Sequence, residues 1–353
     1  MFPYWLLFSI FAAGSIEYRR RGAVGSQAAP LLAVAGLFTA LMIGLRYEVG
    51  GDWISYEEIF FYSRYAELGA ILLASDPGYG ALNWLGQQIG AGIWFVNLVC
   101  AGIFSWGLVK FARRQPNPWL AMVVAVPYLI IVVAMGYTRQ GVAIGLILAG
   151  LSVIDRASIV RFAAYILVAA AFHKSAIIVL PLVGLAASRH RIVSGAVLIV
   201  LAAVIYNLFV VSSVDKMMSG YVEAEMQSQG AAIRVAMNLP PALLFLIYRR
   251  RFQLSEQQYK LWRNFALAAF SILGLLLFTA SSTAVDRVAL YLIPLQIFVL
   301  SRLPEAFPDK NRANGQFVFA VIVYSALIQF VWLNYAVHAQ LWLPYQVHPS
   351  LTG

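Results

Sequence analysis

Apolar runs separated by short polar and charged clusters fill almost the whole chain. A membrane-crossing helix needs about 20 apolar residues in a row, and cutting the chain at its charge clusters yields about twelve such runs, some of them short. The pattern predicts an all-α polytopic membrane protein with a single integral membrane domain over residues 1–353. The predicted spans are 2–16, 28–45, 91–109, 117–136, 139–154, 159–172, 174–188, 192–212, 233–248, 264–282, 286–302 and 316–337.

The two spans beside His173 are shorter than a full crossing. A break at membrane depth is tolerated only where protein or water covers it, so this pair is predicted to be broken or re-entrant. Long connections are usually functional or disordered, and two stand out here. Residues 46–90 are predicted to form an extracytoplasmic loop, rich in Tyr, Trp and acids over 46–80 and ending in an interfacial helix over 79–90. Residues 213–232 are predicted to form a mobile extracytoplasmic loop.

Composition excludes several classes of protein. Hydrophobic residues make up 61% of the chain and charged residues only 11%, which excludes soluble globular, collagenous and disordered chains. The single Cys and the lack of a CxxC or Cys/His cluster predict neither a disulfide framework nor a metal site, and no cofactor is expected.

The chain has 25 Lys and Arg against 15 Asp and Glu. This excess of basic residues reflects the membrane topology and does not indicate a nucleic-acid partner. A basic cluster, Arg19–Arg21, follows the first apolar run, which is the reverse of a removable signal peptide and puts the N-terminus outside. Alternating the predicted spans from there puts the C-terminus outside as well. Basic residues concentrate in cytoplasmic loops of membrane proteins, and the predicted internal loops follow this rule. The basic residues that fall outside are Arg46, Arg64, Arg139, Lys174, Lys216, Arg234 and Arg287.

Four of these cations lie beside span ends, in the clusters GLRYEVGGDW, MGYTRQGVA, AAFHKSAI and STAVDRVALY. A cation in or beside a span is costly unless paired, and so predicts a functional site. Arginine's planar fork suits phosphate oxygens, so several cations from separate segments predict a shared pyrophosphate. The predicted pyrophosphate-binding residues are Arg46, Arg139, Lys174 and Arg287, with Arg234 as a further candidate.

Each cluster also has a structural interpretation. Arg46 could pair with Glu48 or Asp52 at a helix end, and Arg139 could be a snorkelling anchor. Asp286 and Arg287 could form an internal ion pair, and His173 could be a hydrogen-bonded structural residue. Gly50 and Gly51 offer a turn that would present Asp52.

Aromatic side chains crowd the predicted external loops. There they either stack on sugar faces or form the interfacial belt, and sequence does not separate the two. The candidate sugar-binding residues are Tyr47, Trp53, Tyr56, Tyr137, Gln140, Tyr291 and Tyr345, with Tyr62 and Tyr79 in the same loops.

Five short motifs in order resemble those of the EpsG family, a branch of the Wzy-type polymerases of bacterial capsule and exopolysaccharide assembly. They are RYEVGGDWISY, YTRQGVAIGL, FHKSAIIVLPL, DRVALYLIP and LWLPYQ, spread from residue 46 to 346. One departure is Gly51-Asp52-Trp53, where the family pattern has a small or hydroxyl residue before the aspartate and often tyrosine after it.

The resemblance implies a GT-C-type membrane glycosyltransferase that uses neither nucleotide sugar nor metal. It would join undecaprenyl-pyrophosphate-linked oligosaccharides, as donor and acceptor, on the outer face of the bacterial cytoplasmic (inner) membrane. Chain-length regulators and export proteins are candidate partners. In the predicted mechanism Arg139 and Arg287, supported by Arg46 and Lys174, stabilise the leaving pyrophosphate. His173 or Asp52 is the base that activates the acceptor hydroxyl, with His173 preferred. The alternatives are a flippase or transporter for the same lipids, a glycan ligase and a non-enzymatic scaffold.

Overall fold

A computed structural model describes residues 1–21, 28–73, 76–154, 159–187, 230–278, 282–308 and 315–349. The predicted span 192–212, most of the predicted loop 213–232 and Lys216 lie outside these residues. The described part is helical and contains no strand, and one isolated antiparallel bridge joins Arg46 and Val347. The all-α prediction is therefore confirmed for this part of the chain.

Sixteen α-helices are described, several of which begin or end in a 3₁₀ or π segment. The first eight are α1 Phe2–Arg21, α2 Ala28–Gly44, α3 Trp53–Ser63, α4 Leu68–Leu72, α5 Pro77–Gln88, α6 Ile93–Ala112, α7 Pro118–Ala125 and α8 Thr138–Leu151. The others are α9 Ile159–Phe172, α10 Val179–Ala187, α11 Ala231–Ala236, α12 Leu239–Tyr248, α13 Glu256–Phe278, α14 Ser282–Ala289, α15 Ile293–Ala306 and α16 Gly315–Tyr335.

Five helices are long and apolar enough to cross a membrane, judged by length and composition over the described residues. They are Ile93–Ala112, Ala231–Phe252, Glu256–Phe278, Ser282–Ala306 and Gly315–Tyr335, and each overlaps a predicted span. Shorter apolar helices occupy Ala29–Gly44, Pro118–Ala134, Thr138–Leu151, Arg161–Phe172 and Lys174–Ala186. This construction fits a polytopic membrane protein, while the number of spans and the GT-C architecture remain predictions.

The helices form two compact units. Unit 1 comprises Met1–Val153, Ala164–Lys174 and Ser301–Gly353, and unit 2 comprises Ile154–Ala163 and Ser175–Leu300. In unit 1, α6 packs between α2 and α8. The backbones of α6 and α8 approach so closely that a Cβ on Gly107 would overlap the carbonyl oxygen of Gly145. Close approach at small residues is a common way for apolar helices to associate in membranes.

The predicted loop 46–90 contains α3, α4 and α5. The helix predicted at 79–90 is present as α5, but it begins earlier, because Pro77 occupies one of its first positions. Proline suits the first turn of a helix, where its missing N–H costs nothing. The segment is therefore mostly helical and carries its polar side chains on ordered backbone.

Regular α-helix is interrupted at two places near the motifs. Helix α7 continues into a π-helix over Val126–Ala134 before α8 begins at Thr138. The second interruption is at His173, between α9 and a 3₁₀ segment over Lys174–Ile178, so the predicted break in this pair of helices is confirmed.

Unit 2 is built around α13. This helix packs against α10 and α12, and α11 packs against α14. The rings of Trp262 and Phe298 stack with their centres 4.0 Å apart and an interplanar angle of 15°. Aromatic stacking of this kind adds about 0.5–1.5 kcal/mol to the burial of the rings.

Candidate active site

Arg46 is enclosed in the turn that follows α2, with only 1% of the residue exposed. Its guanidinium donates to the carbonyls of Ile43 (2.6 Å) and Val49 (3.1 Å). A third hydrogen bond, 2.7 Å long, runs from Nη2 to the hydroxyl of Thr138, the first residue of α8. Arg46 therefore joins the end of α2 to the start of α8, and it satisfies a carbonyl that the helix end leaves without a partner.

The predicted alternative for Arg46, an ion pair with Glu48 or Asp52, is not found in the described part of the chain. Burial lowers the pKa of Arg46 from its usual value, but arginine starts so high that the guanidinium stays charged. A buried charge of this kind needs several hydrogen bonds, and backbone carbonyls together with a hydroxyl provide them.

The turn after Arg46 depends on Gly50, which has a φ of +114°. Glycine adopts such a φ without steric cost, and a Cβ here would also overlap the carbonyl oxygen of Met135. The N–H of Asp52 points to the carbonyl of Gly136 (3.4 Å), so the predicted turn is present and brings Asp52 beside the segment that leads into α8.

The C-terminal motif LWLPYQ packs against this turn. Trp342 is 1% exposed and its indole Nε1 donates to the carbonyl of Ile131 in the π-helix (2.7 Å). Its own carbonyl accepts a hydrogen bond from the hydroxyl of Tyr4 (2.7 Å). The hydroxyl of Tyr345 donates to the carbonyl of Met42 (2.8 Å). The chain's last described segment is thus anchored to α1, α2 and the π-helix.

Arg139 lies in the first turn of α8 and pairs with Asp76, which precedes α5. The Nη1–Oδ2 distance is 2.7 Å, with the side chains 31% and 9% exposed respectively. The other carboxylate oxygen, Oδ1, accepts the backbone N–H of Lys174 at 3.3 Å. Asp76 therefore connects three segments: the start of α5, the start of α8 and the break after His173.

Two tyrosines flank the Arg139 guanidinium. Its carbon lies 5.7 Å from the ring centre of Tyr56 and 6.0 Å from that of Tyr79. Burial raises the pKa of Tyr56 to about 12, and the charge of Asp52 adds to the effect. Burial likewise raises the pKa of Tyr79 well above its usual value. Both phenols therefore stay protonated at neutral pH, so neither is available as a general base.

The two predicted bases lie in unit 1. His173 is half-buried in the break, immediately before Lys174, whose backbone N–H contacts Asp76. Asp52 is half-buried at the position that precedes α3, and its side chain makes no capping hydrogen bond to that helix. The side chain of Lys174 is exposed.

The predicted sugar-binding residues of unit 1 occupy the same region. Tyr47 packs edge-on against Trp53, with ring centres 5.7 Å apart, and Tyr137 packs in the same way against Trp342 at 6.5 Å. Gln140 is buried on α8. Trp53 is also buried, and its indole Nε1 has no hydrogen-bond partner in the part of the chain that the structure describes.

Unit 2 holds the remaining candidates in a separate polar group. Arg234 Nε bonds Asp286 Oδ1 at 2.8 Å, with side-chain exposures of 17% and 9%. Tyr291 is buried, and its hydroxyl lies 3.1 Å from that of Ser175. Arg287 follows Asp286 on α14 and is half-buried. Arg234 thus forms an ion pair with Asp286 that the sequence did not predict.

In the described part of the chain, no cluster of three or more His, Cys, Asp or Glu side chains is placed to hold a metal ion. The site in unit 1 instead combines two guanidinium groups, an ammonium group, two carboxylates, an imidazole and aromatic rings. Such a set can bind an anion, accept a proton and contact a sugar.

A family model described as the EpsG family matches residues 31–347, nearly the whole chain. The chain belongs to the EpsG family. This is a family of Wzy-type polymerases, which are polymerase-type glycosyltransferases of polysaccharide biosynthesis that act on lipid-linked oligosaccharides. No curated protein and no solved structure matches the chain.

Residues of four of the five motifs contact one another or shared neighbours in unit 1, although they are far apart in sequence. RYEVGGDWISY and YTRQGVAIGL meet through the Arg46–Thr138 hydrogen bond. LWLPYQ anchors to the π-helix beside them, and the first residues of FHKSAIIVLPL join through Asp76. The fifth motif, DRVALYLIP, belongs to unit 2.

Sequence reasoning missed Asp76 and Thr138. Asp76 precedes Pro77, and Asp followed by Pro is a common helix start, so a local signal was present. Its partner Arg139 is 63 positions away, however, and local pattern carries no information about such a pair. Thr138 gave no signal of its own, since a hydroxyl at a helix start is common.

Proposed function

We propose that this EpsG-family chain polymerises oligosaccharide repeat units carried on undecaprenyl pyrophosphate, at the outer face of the bacterial cytoplasmic membrane. Both termini would then be extracytoplasmic. The observation that carries the proposal is the meeting of motif residues at Arg139, where a partly exposed guanidinium is held beside tyrosine rings and next to the His173 break. The family match supports the same class of reaction.

In the proposed reaction a hydroxyl oxygen of the acceptor unit attacks the anomeric carbon of the donor. The bond between this carbon and the pyrophosphate oxygen breaks, and the electron pair leaves with the pyrophosphate. The hydroxyl proton passes to a base. Charge grows on the leaving oxygen, so a cation that strengthens its contact in the transition state lowers the barrier.

Arg139 is the proposed contact to the leaving pyrophosphate. A guanidinium has five N–H donors. One N–H on Nη1 bonds Asp76 and another N–H bonds the side chain of Tyr56, which leaves donors for phosphate oxygens. The exposed ammonium of Lys174 follows the same break and is proposed to assist. Arg234 and Arg287 remain predicted pyrophosphate ligands that belong to unit 2.

Arg46 has a different part in the proposal. Its guanidinium is enclosed and bonded to protein oxygens, so reaching a substrate would require breaking these bonds. We therefore assign it the positioning of Thr138 and of the first turn of α8, which carries Arg139.

His173 is the proposed base, with Asp52 as the alternative. The usual pKa of histidine, about 6.5, suits proton transfer at neutral pH. Asp52 is proposed to orient a sugar together with Trp53, whose buried indole N–H can donate to a sugar hydroxyl. A buried indole N–H normally has a partner, which supports this role.

The test is a product ladder. Purified protein in nanodiscs is incubated with one undecaprenyl-pyrophosphate-linked repeat unit, and the products are separated by size. A polymerase makes a ladder from the repeat unit alone, a ligase forms product only when a different acceptor is added, and a carrier or scaffold makes no product in either mixture. Arg139→Gln should abolish the ladder, whereas Arg64→Gln, which alters an exposed arginine after α3, should not. Normal ladders from both Arg139→Gln and His173→Ala would refute this mechanism.

A further inference from the structure

An apolar cavity of about 290 Å³ lies within unit 2, beside α10, α13 and α14. Its lining is mostly aliphatic and includes Leu182, Leu267, Ile272, Leu275, Val288 and Leu292. A cavity of about 150 Å³ lined by aliphatic and aromatic side chains takes up benzene. By that measure this one has room for roughly a dozen carbon atoms, or about two isoprene units.

The three polar residues of the lining do not make the cavity polar. The Asn264 amide nitrogen donates to the carbonyl of Leu182 (2.9 Å), and the Ser271 hydroxyl donates to the carbonyl of Leu267 (3.2 Å). The Tyr291 hydroxyl lies 3.1 Å from that of Ser175. Because each of these groups has a protein partner, the cavity favours a hydrocarbon occupant over a sugar or a free anion.

The same stretch of chain that lines the cavity also carries charge. Val288 and Tyr291 both line it, and Arg287 is the residue before Val288 and one helical turn before Tyr291. Asp286, one position earlier, holds the Arg234 guanidinium at 2.8 Å. Unit 2 thus joins a hydrocarbon-lined cavity to a helix that carries arginine, which matches an amphiphile with an anionic head and an apolar chain.

We propose that this cavity binds the first isoprene units of a polyprenyl pyrophosphate, with the head group at the Arg287 end of α14. The proposal rests on the proposed function, because it locates the carrier of one lipid-linked substrate. An isoprenoid is chosen because the proposed function supplies a polyprenyl pyrophosphate as substrate carrier. A phospholipid also joins an apolar chain to a phosphate, and its competition is therefore one arm of the test. A polymerase also benefits from contacts to the carrier that do not depend on the length of the attached glycan, which grows with each addition.

The test is photolabelling of the full-length protein in nanodiscs. The probe is farnesyl pyrophosphate bearing a diazirine on the isoprene unit next to the pyrophosphate, and labelled peptides are identified by mass spectrometry. Labelling should fall on α10 and α13, and it should be competed by unlabelled farnesyl pyrophosphate but not by inorganic pyrophosphate or phosphatidylglycerol. Equal competition by phosphatidylglycerol would mean that the cavity takes membrane lipid only, which overturns the proposal.

Ser271→Trp fills the cavity from its exposed edge without disturbing buried packing. We expect at least about tenfold weaker labelling, since excluding two methylene groups costs about fourfold in affinity for each. Leu277→Trp is the matched control, because it lies on the same helix, is exposed and does not line the cavity. It should label as the unchanged protein does. Undiminished labelling in Ser271→Trp would overturn the proposal.

The labelling assay does not depend on turnover, so the two proposals fail separately. If α10 and α13 are labelled as expected but no ladder forms, the proposal for the cavity stands and the proposal of a polymerase fails. If Ser271→Trp makes a normal ladder with an unchanged dependence on lipid concentration, the proposal of a polymerase stands. The proposal that the cavity binds the carrier is then overturned. Ala268→Trp fills the cavity from a second position and should behave as Ser271→Trp does.

Discussion

Asp76→Asn tests whether the carboxylate positions Arg139 or merely neutralises it. The carboxylate accepts twice: Oδ2 from the Arg139 guanidinium and Oδ1 from the backbone N–H of Lys174. An asparagine of the same shape has one acceptor oxygen and an NH₂ that can only donate. It can satisfy one of the two donors, and it turns an N–H toward the other.

The size of the effect follows from these two contacts. A hydrogen bond to a charged group contributes about 1.5–3 kcal/mol, and loss of one partner from a buried pair costs more. Arg139 is 31% exposed, so water replaces part of the lost contact, and we expect about 1–2 kcal/mol of destabilisation. Misplacing a group at the reacting centre by about 1 Å can cost about 100-fold in rate. The rate of polymerisation should therefore fall far more than the stability does.

The assay measures kcat and KM for ladder formation alongside thermal unfolding in nanodiscs. Asp76→Glu retains two acceptor oxygens and should recover part of kcat, while Glu58→Gln, an exposed acid on α3, should change neither quantity. A carboxylate that only competes with the substrate for Arg139 leads to the opposite result, because its removal would lower KM and leave kcat unchanged or higher. That outcome would refute the positioning role.

Three further changes test the framework around the site. Arg46→Met leaves two carbonyls and a hydroxyl without their donor, and each lost contact costs about 1–3 kcal/mol. The melting temperature should therefore fall clearly, and an unchanged melting temperature would contradict this prediction. Trp342→Phe removes a buried donor to the π-helix and should cost about 1–3 kcal/mol, whereas Trp106→Phe, at an exposed position, should be neutral. Arg234→Gln removes the guanidinium that bonds the Asp286 carboxylate at 2.8 Å and should cost about 1–3 kcal/mol. A double-mutant cycle with Asp286→Asn should show coupling between the two positions, and additive effects would rule out the pair.

The long apolar helices were predictable because apolar runs of a membrane protein are long and uniform, whereas α3 and α4 in the predicted loop 46–80 were not predicted. The break at His173 was predictable as well, since the polar group His173, Lys174 and Ser175 interrupts such a run. The start of α5 was missed by two residues, because the apolar pattern begins after Pro77 while the helix begins at it. The hydrophobic pattern therefore predicts where a helix lies, whereas residues such as Pro77 determine where it begins.

The contacts of the site were less accessible to sequence reasoning. Arg46 was predicted to bind pyrophosphate, with an ion pair at a helix end as the alternative, and two of its three acceptors are carbonyls within three positions of it. Nothing in the pattern of residue types shows whether a span-end arginine turns toward solvent or bonds to the helix it follows. The pairs of Arg139 with Asp76 and of Arg234 with Asp286 join distant segments, and only the fold brings such partners together.

The charge around Arg139 is more balanced than a group of free cations would be. An unpaired guanidinium beside apolar helices is costly, and Asp76 offsets that cost before any substrate arrives. The same bond limits how the guanidinium can move, and a fixed donor loses less on reaching the transition state than a mobile one does. Pairing with Asp76 therefore weakens the attraction of Arg139 for any anion and improves its alignment with one anion position. In the proposed reaction, this balance would favour stabilisation of the leaving pyrophosphate over tight binding of the intact lipid, which a polymerase must repeatedly bind and release.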